Sequence, residues 1–314
     1  MPRVTVVLPA YNEARALTNA VASVLGQTLG DLELLVVDDG SGEELGPALS
    51  RASADPRFRT IRHEKNHGAA AARNTGIKYS AGDYIAFLDS DDTWHPSKLE
   101  RQLEWMTARG LPVSCTGFRI RTPFHPQGEC RQPKPKIELH DLLWGCGLSP
   151  GSTMLIRRDV FEAVGPFDEA LRRLEDWDWL LRCAHNLPVA VVPEVLASVE
   201  SGPREDCPLS DVRESARLMR GYIASGRYNL SRRDKRRILS TLHAEVSASA
   251  FLRCQYSLAV ATSIASLCYK PLRPVTYYRR VFHALKTDFV QWITRRNRLA
   301  SKRPEQGMRD SDPR

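Results

Sequence analysis

Short apolar runs alternate with amphipathic stretches along the first two thirds of the chain. Arg3 to Pro9 is rich in valine and barely alternates, as a strand buried on both faces would be. Asn12-Glu13 opens a segment whose apolar positions Ala14, Leu17, Val21, Val24 and Leu25 recur at helical spacing. Leu32 to Val37 reads as a second strand, Thr60 to Arg62 as a short third, and the Ala-rich stretch Gly68 to Tyr79 as a helix. Asp83 to Leu88 supplies another strand, and Pro96 starts a helix over Ser97 to Arg109. Strands alternating with helices predict a mostly parallel, Rossmann-like sheet covered on both faces.

After Leu111 the rhythm weakens. Pro112 to Arg121 reads as a strand, and Thr122 to Lys136 as a polar loop spotted with four prolines, a mobile cover. Gly151 to Arg157 resumes a strand pattern, and Val160 to Val164 is a short helical piece. Asp176 to Ala184 is expected to be helical and Pro188 to Pro193 a closing strand. Helices are expected near Asp211 to Ser225 and Asp234 to Cys254, then shorter basic ones broken at Pro271 and Pro274.

Polar clusters follow the strands: Tyr11-Asn12-Glu13, Asp38-Asp39, and Asp89 to Asp92. In open α/β sheets ligands bind at that edge. Three carboxylates within four residues repel one another unless a cation or hydrogen-bond donors compensate, and a hard divalent ion is the economical candidate.

Composition narrows the class. A 314-residue chain with 42% hydrophobic residues can bury a large core. Its seven cysteines are odd in number, widely spaced and without a CxxC pair, so neither a zinc site nor a disulfide framework is indicated. The first residues lack the pattern of a secretory signal, from which a cytoplasmic location is expected.

Charge divides the chain. Arg227 to Arg314 holds 19 Lys and Arg against 6 Asp and Glu; of the net charge of +8, this part carries +13 and residues 1–226 carry −5. Lys270 to Arg303 interleaves cations with Tyr277, Tyr278, Phe282, Leu285, Phe289, Trp292 and Ile293. Such a segment suits an anionic membrane surface at the inner face, or a helical hairpin packed on the catalytic part or on another subunit. Leu258 to Cys268 is too short to span a bilayer. No helix-turn-helix, zinc finger or single-strand-binding motif accompanies the charge, so a nucleic-acid partner is not expected.

Taken in order, Val7-Leu-Pro-Ala-Tyr-Asn-Glu13, Val36-Val-Asp-Asp-Gly-Ser41, Asn66-His-Gly68, Ala72-Arg-Asn-Thr-Gly-Ile77, Asp83 to Asp92, Gly165-Pro-Phe-Asp-Glu169 and Glu175-Asp-Trp-Asp178 resemble the inverting, GT-A-fold glycosyltransferases of family 2. The resemblance covers roughly residues 3 to 190. It implies a GT-A catalytic domain over 1–203, with nucleotide-sugar binding in 1–110 and the acceptor side in 111–203, followed by a basic helical extension over 204–314.

The resemblance also implies roles. Asp89 and Asp91 look like the family's DxD pair, Asp91 for direct contact with Mg²⁺ or Mn²⁺ and Asp89 for the nucleotide, with Asp92 behind them. Pro9, Tyr11 and Glu13 look like the first donor-binding loop, Tyr11 either stacking on the base or filling space. Asp39 resembles the position that recognises uracil or thymine, or is a turn residue beside Gly40. Arg73 is implied near the pyrophosphate, with a salt bridge to the acidic loops as the alternative. Asp176 is implied as the general base, with Glu175 and Trp177 on the acceptor side and Asp178 a competitor for the base.

Trp94, Trp144, Trp177 and Trp179 are either sugar platforms or core, and Gly151-Ser152 is a further acceptor-side candidate. The implied reaction transfers one sugar from a UDP- or dTDP-sugar to a glycan or lipid-linked acceptor of the cell envelope. No Gln-x-x-Arg-Trp segment of the processive polymerases is present. The rival readings are another metal-dependent nucleotidyl or phosphoryl transferase, and a non-enzymatic assembly protein retaining the fold.

Overall fold

The structure is a computed structural model describing residues 2–122, 125–187, 189–200 and 208–269. The expectations for Lys270 to Arg303, and Cys207, lie outside the described residues.

The chain begins with β1 (Val4–Ala10), α1 (Ala14–Leu25), β2 (Leu32–Asp38), α2 (Gly46–Leu49), β3 (Phe58–Arg62), α3 (Ala69–Tyr79) and β4 (Tyr84–Phe87). It continues through β5 (Thr93–Trp94), α4 (Lys98–Thr107), β6 (Val113–Thr122), β7 (His125–Arg131), β8 (Lys136–Ile137), α5 (Leu139–Leu142) and α6 (Pro150–Thr153). Then come β9 (Leu155–Arg157), α7 (Asp159–Val164), α8 (Glu175–Asn186), β10 (Val189–Glu200), α9 (Leu209–Ser225), α10 (Arg232–Leu252) and α11 (Tyr256–Tyr269).

The strands form one sheet in the order β3-β2-β1-β4-β9-β6-β10-β5, with β7 on β6 and β8 on β10. The β3-β2-β1-β4 half is wholly parallel. β9 is inserted antiparallel between β4 and β6, and β6 pairs parallel with β10. This is the mostly parallel sheet with flanking helices that the sequence predicts.

Alternation along β1 decides which face each side chain enters. Val4, Val6 and Leu8 meet Leu17, Val21 and Val24 of α1 and Leu99 and Leu103 of α4 on one face. Val7 points to the other, where Ala70 and Ala72 of α3 share a core with α8 to α10. A Cβ on Gly76 would lie 2.2 Å from Val7 Cγ1, so α3 can approach β1 this closely only with glycine there. Leu209, Val212, Met219, Ile223, Ile238 and Leu242 of α9 and α10 are buried in the same cluster as Phe87, Val113 and Trp179.

Two local expectations fail. The proline-spotted segment after Thr122 is not a loop throughout: His125–Arg131 pairs antiparallel with β6. It pairs on one side only, where the missing N–H of Pro126 is tolerated. The segment starting at Gly151 is a strand only from Leu155, because a helical turn, Pro150–Thr153, precedes it. That turn follows Ser149, whose φ of 47° is left-handed. No described helix is long and apolar enough to cross a membrane.

Candidate functional site

The C-terminal ends of β1, β2 and β4 bring three of the predicted motifs to one edge. β1 delivers Pro9, which is half-buried, and the chain turns at Asn12 with a φ of 53°. Asn12 fixes that turn against the next loop: its N–H donates to Ser41 Oγ at 3.0 Å, and its Oδ1 accepts from Gly42 N at 2.8 Å. Tyr11 is half-buried on this loop. Glu13, just before α1, accepts a short hydrogen bond from Ser90 Oγ, tying the first loop to the acidic run.

Asp39 is 3% exposed and nearly saturated. Oδ1 contacts His63 Nδ1 at 2.7 Å and accepts from His67 N at 3.0 Å; Oδ2 accepts from Gly68 N at 2.7 Å. The carboxylate clamps the β3–α3 loop to the end of β2, and of its four lone-pair positions about one remains for a ligand. Gly40, with φ 74°, would place a Cβ 2.5 Å from the Lys65 backbone, so the same clamp requires glycine there.

Arg73 on α3 is 4% exposed and grips both acidic motifs. Nη2 donates to Asp89 Oδ1 at 2.7 Å and Nη1 to Glu175 Oε1 at 2.6 Å, while its guanidinium lies 5.7 Å from the centre of the Phe167 ring. Burial works against its charge, but the carboxylates of Asp89, Glu175 and Asp176 outweigh it and raise the pKa above the ordinary value. Nε is buried and has no partner. Next to it, Asn74 fastens the 165–169 loop to α3, accepting from Phe167 N at 3.0 Å and donating to Phe167 O and Glu169 Oε1.

The acidic run divides its labour. Asp89 and Asp91 are half-buried, whereas Asp92 is buried, accepting from Glu200 N at 2.8 Å and receiving a short bond from Ser152 Oγ. Ser152 Oγ also accepts from Asp89 N at 3.1 Å, and Trp94 Nε1 donates to Ser152 O at 2.6 Å. Burial first, then the charges of Asp89 and Asp91, push the Asp92 carboxyl well above the usual carboxylate range.

Among the described residues no group of three or more His, Cys, Asp or Glu side chains could hold a metal by itself. Asp89 and Asp91, the two half-buried carboxylates of the run, would suit only a divalent ion that completes its shell with substrate phosphate and water, not a protein-built cage.

Glu175 and Asp176 open α8, after Leu174 with its left-handed φ of 67°. Glu175 is 7% exposed and half-buried Asp176 accepts from Trp177 N at 2.6 Å. Burial, then the Glu175 charge, pushes the Asp176 carboxyl up to about 6, against the pull of Arg73 and Arg173. Asp178 has no exposure and is occupied by Arg182 Nε at 2.9 Å, Tyr228 Oη at 2.6 Å and Arg227 Nη2 at 3.3 Å, a structural assignment. Trp177 points into the core, its Nε1 donating to Leu142 O at 2.8 Å, and Trp94 and Trp179 are buried too. Trp177 thus supports α8 from the core side, and of the four tryptophans only Trp144 is half-exposed.

His63 escaped the sequence reading, and so did the roles of Ser152, which braces the acidic run, and of Asn74, which holds the 165–169 loop. Their partners lie 24, 60 and 93 residues away along the chain, so no local spacing signals them.

Residues 5–165 match the model of glycosyl transferase family 2. Over 174 residues the chain is 34% identical to the UDP-Glc:alpha-D-GlcNAc-diphosphoundecaprenol beta-1,3-glucosyltransferase WfgD of Escherichia coli, across 55% of this chain and 66% of that one. It is 43% identical over 117 residues to an uncharacterized glycosyltransferase of Rickettsia felis, across 37% of this chain and 19% of the relative. The chain thus spans less than two thirds of both relatives. The mannosyltransferase PcManGT from Pyrobaculum calidifontis, solved with GDP-Man and Mn²⁺, superposes with a TM-score of 0.57 over 93% of this chain and 83% of that one. At 19% identity that likeness speaks for the fold alone.

Proposed function

Since this chain belongs to glycosyl transferase family 2, we propose that it transfers a single sugar, with inversion, from a nucleotide-diphosphate sugar to a glycan or lipid-linked acceptor. The observation that carries the reading is the two-handed grip of Arg73 on Asp89 and Glu175. It holds a diphosphate-side carboxylate and the pair containing the base around one guanidinium.

Asp176 is the base, taking the proton from the acceptor hydroxyl as that oxygen attacks the anomeric carbon. A carboxyl raised to about 6 is still ionised at neutral pH, yet more basic than an ordinary aspartate. Direct displacement needs no carboxylate nucleophile on the opposite face of the sugar. Glu175 keeps the acceptor side acidic, and its bond to Arg73 fixes the start of α8.

On the donor side, Pro9, Tyr11 and Glu13 line the base, and Asp39 shapes the pocket floor while offering its remaining lone pair to a uracil or thymine N–H. Arg73 acts on the diphosphate side through Asp89, which it holds in place. Mg²⁺ or Mn²⁺ held by Asp91, with Asp89 beside it, would offset the charge on the leaving nucleoside diphosphate. The likeness to the WfgD enzyme supports a UDP-sugar donor and a polyprenyl-diphosphate-linked acceptor.

A screen of nucleotide sugars with Mn²⁺ tests the reading. Turnover is expected with a UDP- or dTDP-sugar, and Asp176→Asn should lose about 10²- to 10⁴-fold in rate while calorimetry shows donor binding intact. Undiminished transfer by that variant would remove Asp176 from the mechanism, and phosphate release without sugar transfer would point to a phosphoryl transferase.

A further inference from the structure

We propose that the outer face of α11, with the basic end of α10 beside it, is a docking surface for an anionic lipid bilayer. The idea does not rest on the transfer chemistry. α11 has no charged residue among its 14.

Its inner face is fastened to α10 by hydroxyls. Ser240 Oγ donates to Ser266 O at 2.8 Å, Ser266 Oγ to Ser240 O at 2.7 Å, and Ser247 Oγ to Ala259 O at 2.8 Å. The partner numbers fall on one helix as they rise on the other, so the two helices are antiparallel. Ala259 and Ser266 are buried along this seam.

The opposite face is mostly apolar, with Ser257 and the Tyr256 hydroxyl as its polar groups near one end. Tyr256, Val260, Ile264 and Leu267 are 50%, 59%, 58% and 42% exposed. Their spacing of four, four and three residues makes one stripe, about 16 Å long at helical rise. Only Tyr79 and Val195 are comparably exposed large apolar residues elsewhere among the described residues, so the exposure is concentrated here, not scattered.

Charge selects the occupant. The antiparallel register sets the first turn of α10, with exposed Arg232, Arg233 and Arg236, at the end where α11 finishes at Tyr269. From Lys270 to Arg303 the sequence then adds ten Lys and Arg against one Asp. A second copy of the chain, or that basic segment itself, would bring more positive charge to an already positive end. An anionic bilayer complements it: the stripe enters the boundary between headgroups and acyl chains, and the arginines meet the phosphates.

The test is flotation of the full chain with phosphatidylcholine vesicles, with and without phosphatidylglycerol. Flotation is expected with the anionic vesicles, weakened by high salt, and a bound fraction about tenfold lower is expected for Val260→Glu/Ile264→Glu. The milder Val260→Ser/Ile264→Ser pair decides the matter if the glutamate variant fails to fold. Equal flotation of wild type and folded variant overturns the proposal. So does a folded variant that turns a dimer into a monomer, or that loses thermal stability without vesicles, while its flotation is unchanged.

Discussion

With a guanidinium only 4% exposed between two carboxylates, the three charges depend on one another. Arg73→Met leaves Glu175 and Asp89 without their counter-ion and is expected to cost roughly 3–5 kcal/mol of stability in urea titrations. Arg73→Lys should rescue little, because one ammonium cannot reproduce two forked bonds. The base responds as well. In the wild type, kcat/KM is expected to fall about tenfold per pH unit below about 6, as Asp176 takes up a proton. Since Arg73 lowers the Asp176 pKa, that acid limb should move to higher pH in a folded Arg73→Met protein.

Lys98 makes a separate prediction. It has no exposure and its Nζ has no hydrogen-bond partner, lying 3.7 Å from the centre of the Trp94 ring. Burial pulls its pKa from 10.5 down to about 7, against an opposing pull from Cys115. Between those two values the unfolded chain binds a proton that the native one does not, so this group's contribution to stability rises with pH over that window. Lys98→Met should abolish that rise and be more stable near pH 7 by roughly 1–4 kcal/mol, as measured by urea unfolding at pH 7 and 9.5. Arg73, Asp89 and Glu175 could be singled out in the sequence because each sits in a recognisable motif. Lys98 could not, since its burial depends on β5 and β6 packing over α4.

Among the elements, those set by local pattern were the legible ones. The valine-rich β1 and β2 and the amphipathic α1 fall within a residue or two of where their periodicity puts them. β7 was hidden by its prolines, since only pairing with β6 makes a strand of it. The α6 turn was hidden by the apolar run that follows, and it has a function there: Gly151 stands where a Cβ would come within 2.5 to 2.8 Å of the Asp89 carboxylate. Gly151→Ala should push that carboxylate aside and weaken donor binding about tenfold in calorimetry, with far less effect on the melting temperature.

The whole molecule has one sheet but two sources of cover for it. α1 and α4 cover one face from sequence nearby, whereas on the other α3 and α8 share their core with the later helices α9 and α10. A chain cut after residue 203 would expose the partners of Leu209, Met219, Ile223 and Leu242 and is expected to be insoluble. One ending at residue 270 should keep a cooperative circular-dichroism melt, consistent with residues 1–270 forming one compact unit. Strand order was the least legible feature at this scale. That β9 runs antiparallel between β4 and β6 follows from pairings between segments tens of residues apart, which no local pattern reports.

The late cover also has a consequence in time. During synthesis the last strand, β10, is complete at Glu200, yet the apolar cluster on one face of the sheet takes in residues as late as Ala259. At about 5–20 residues per second, the ribosome takes several seconds to make that stretch. Throughout that interval Phe87, Val113 and Trp179 belong to a core that cannot yet close, so the nascent chain is a natural client for chaperones that hold exposed apolar surface.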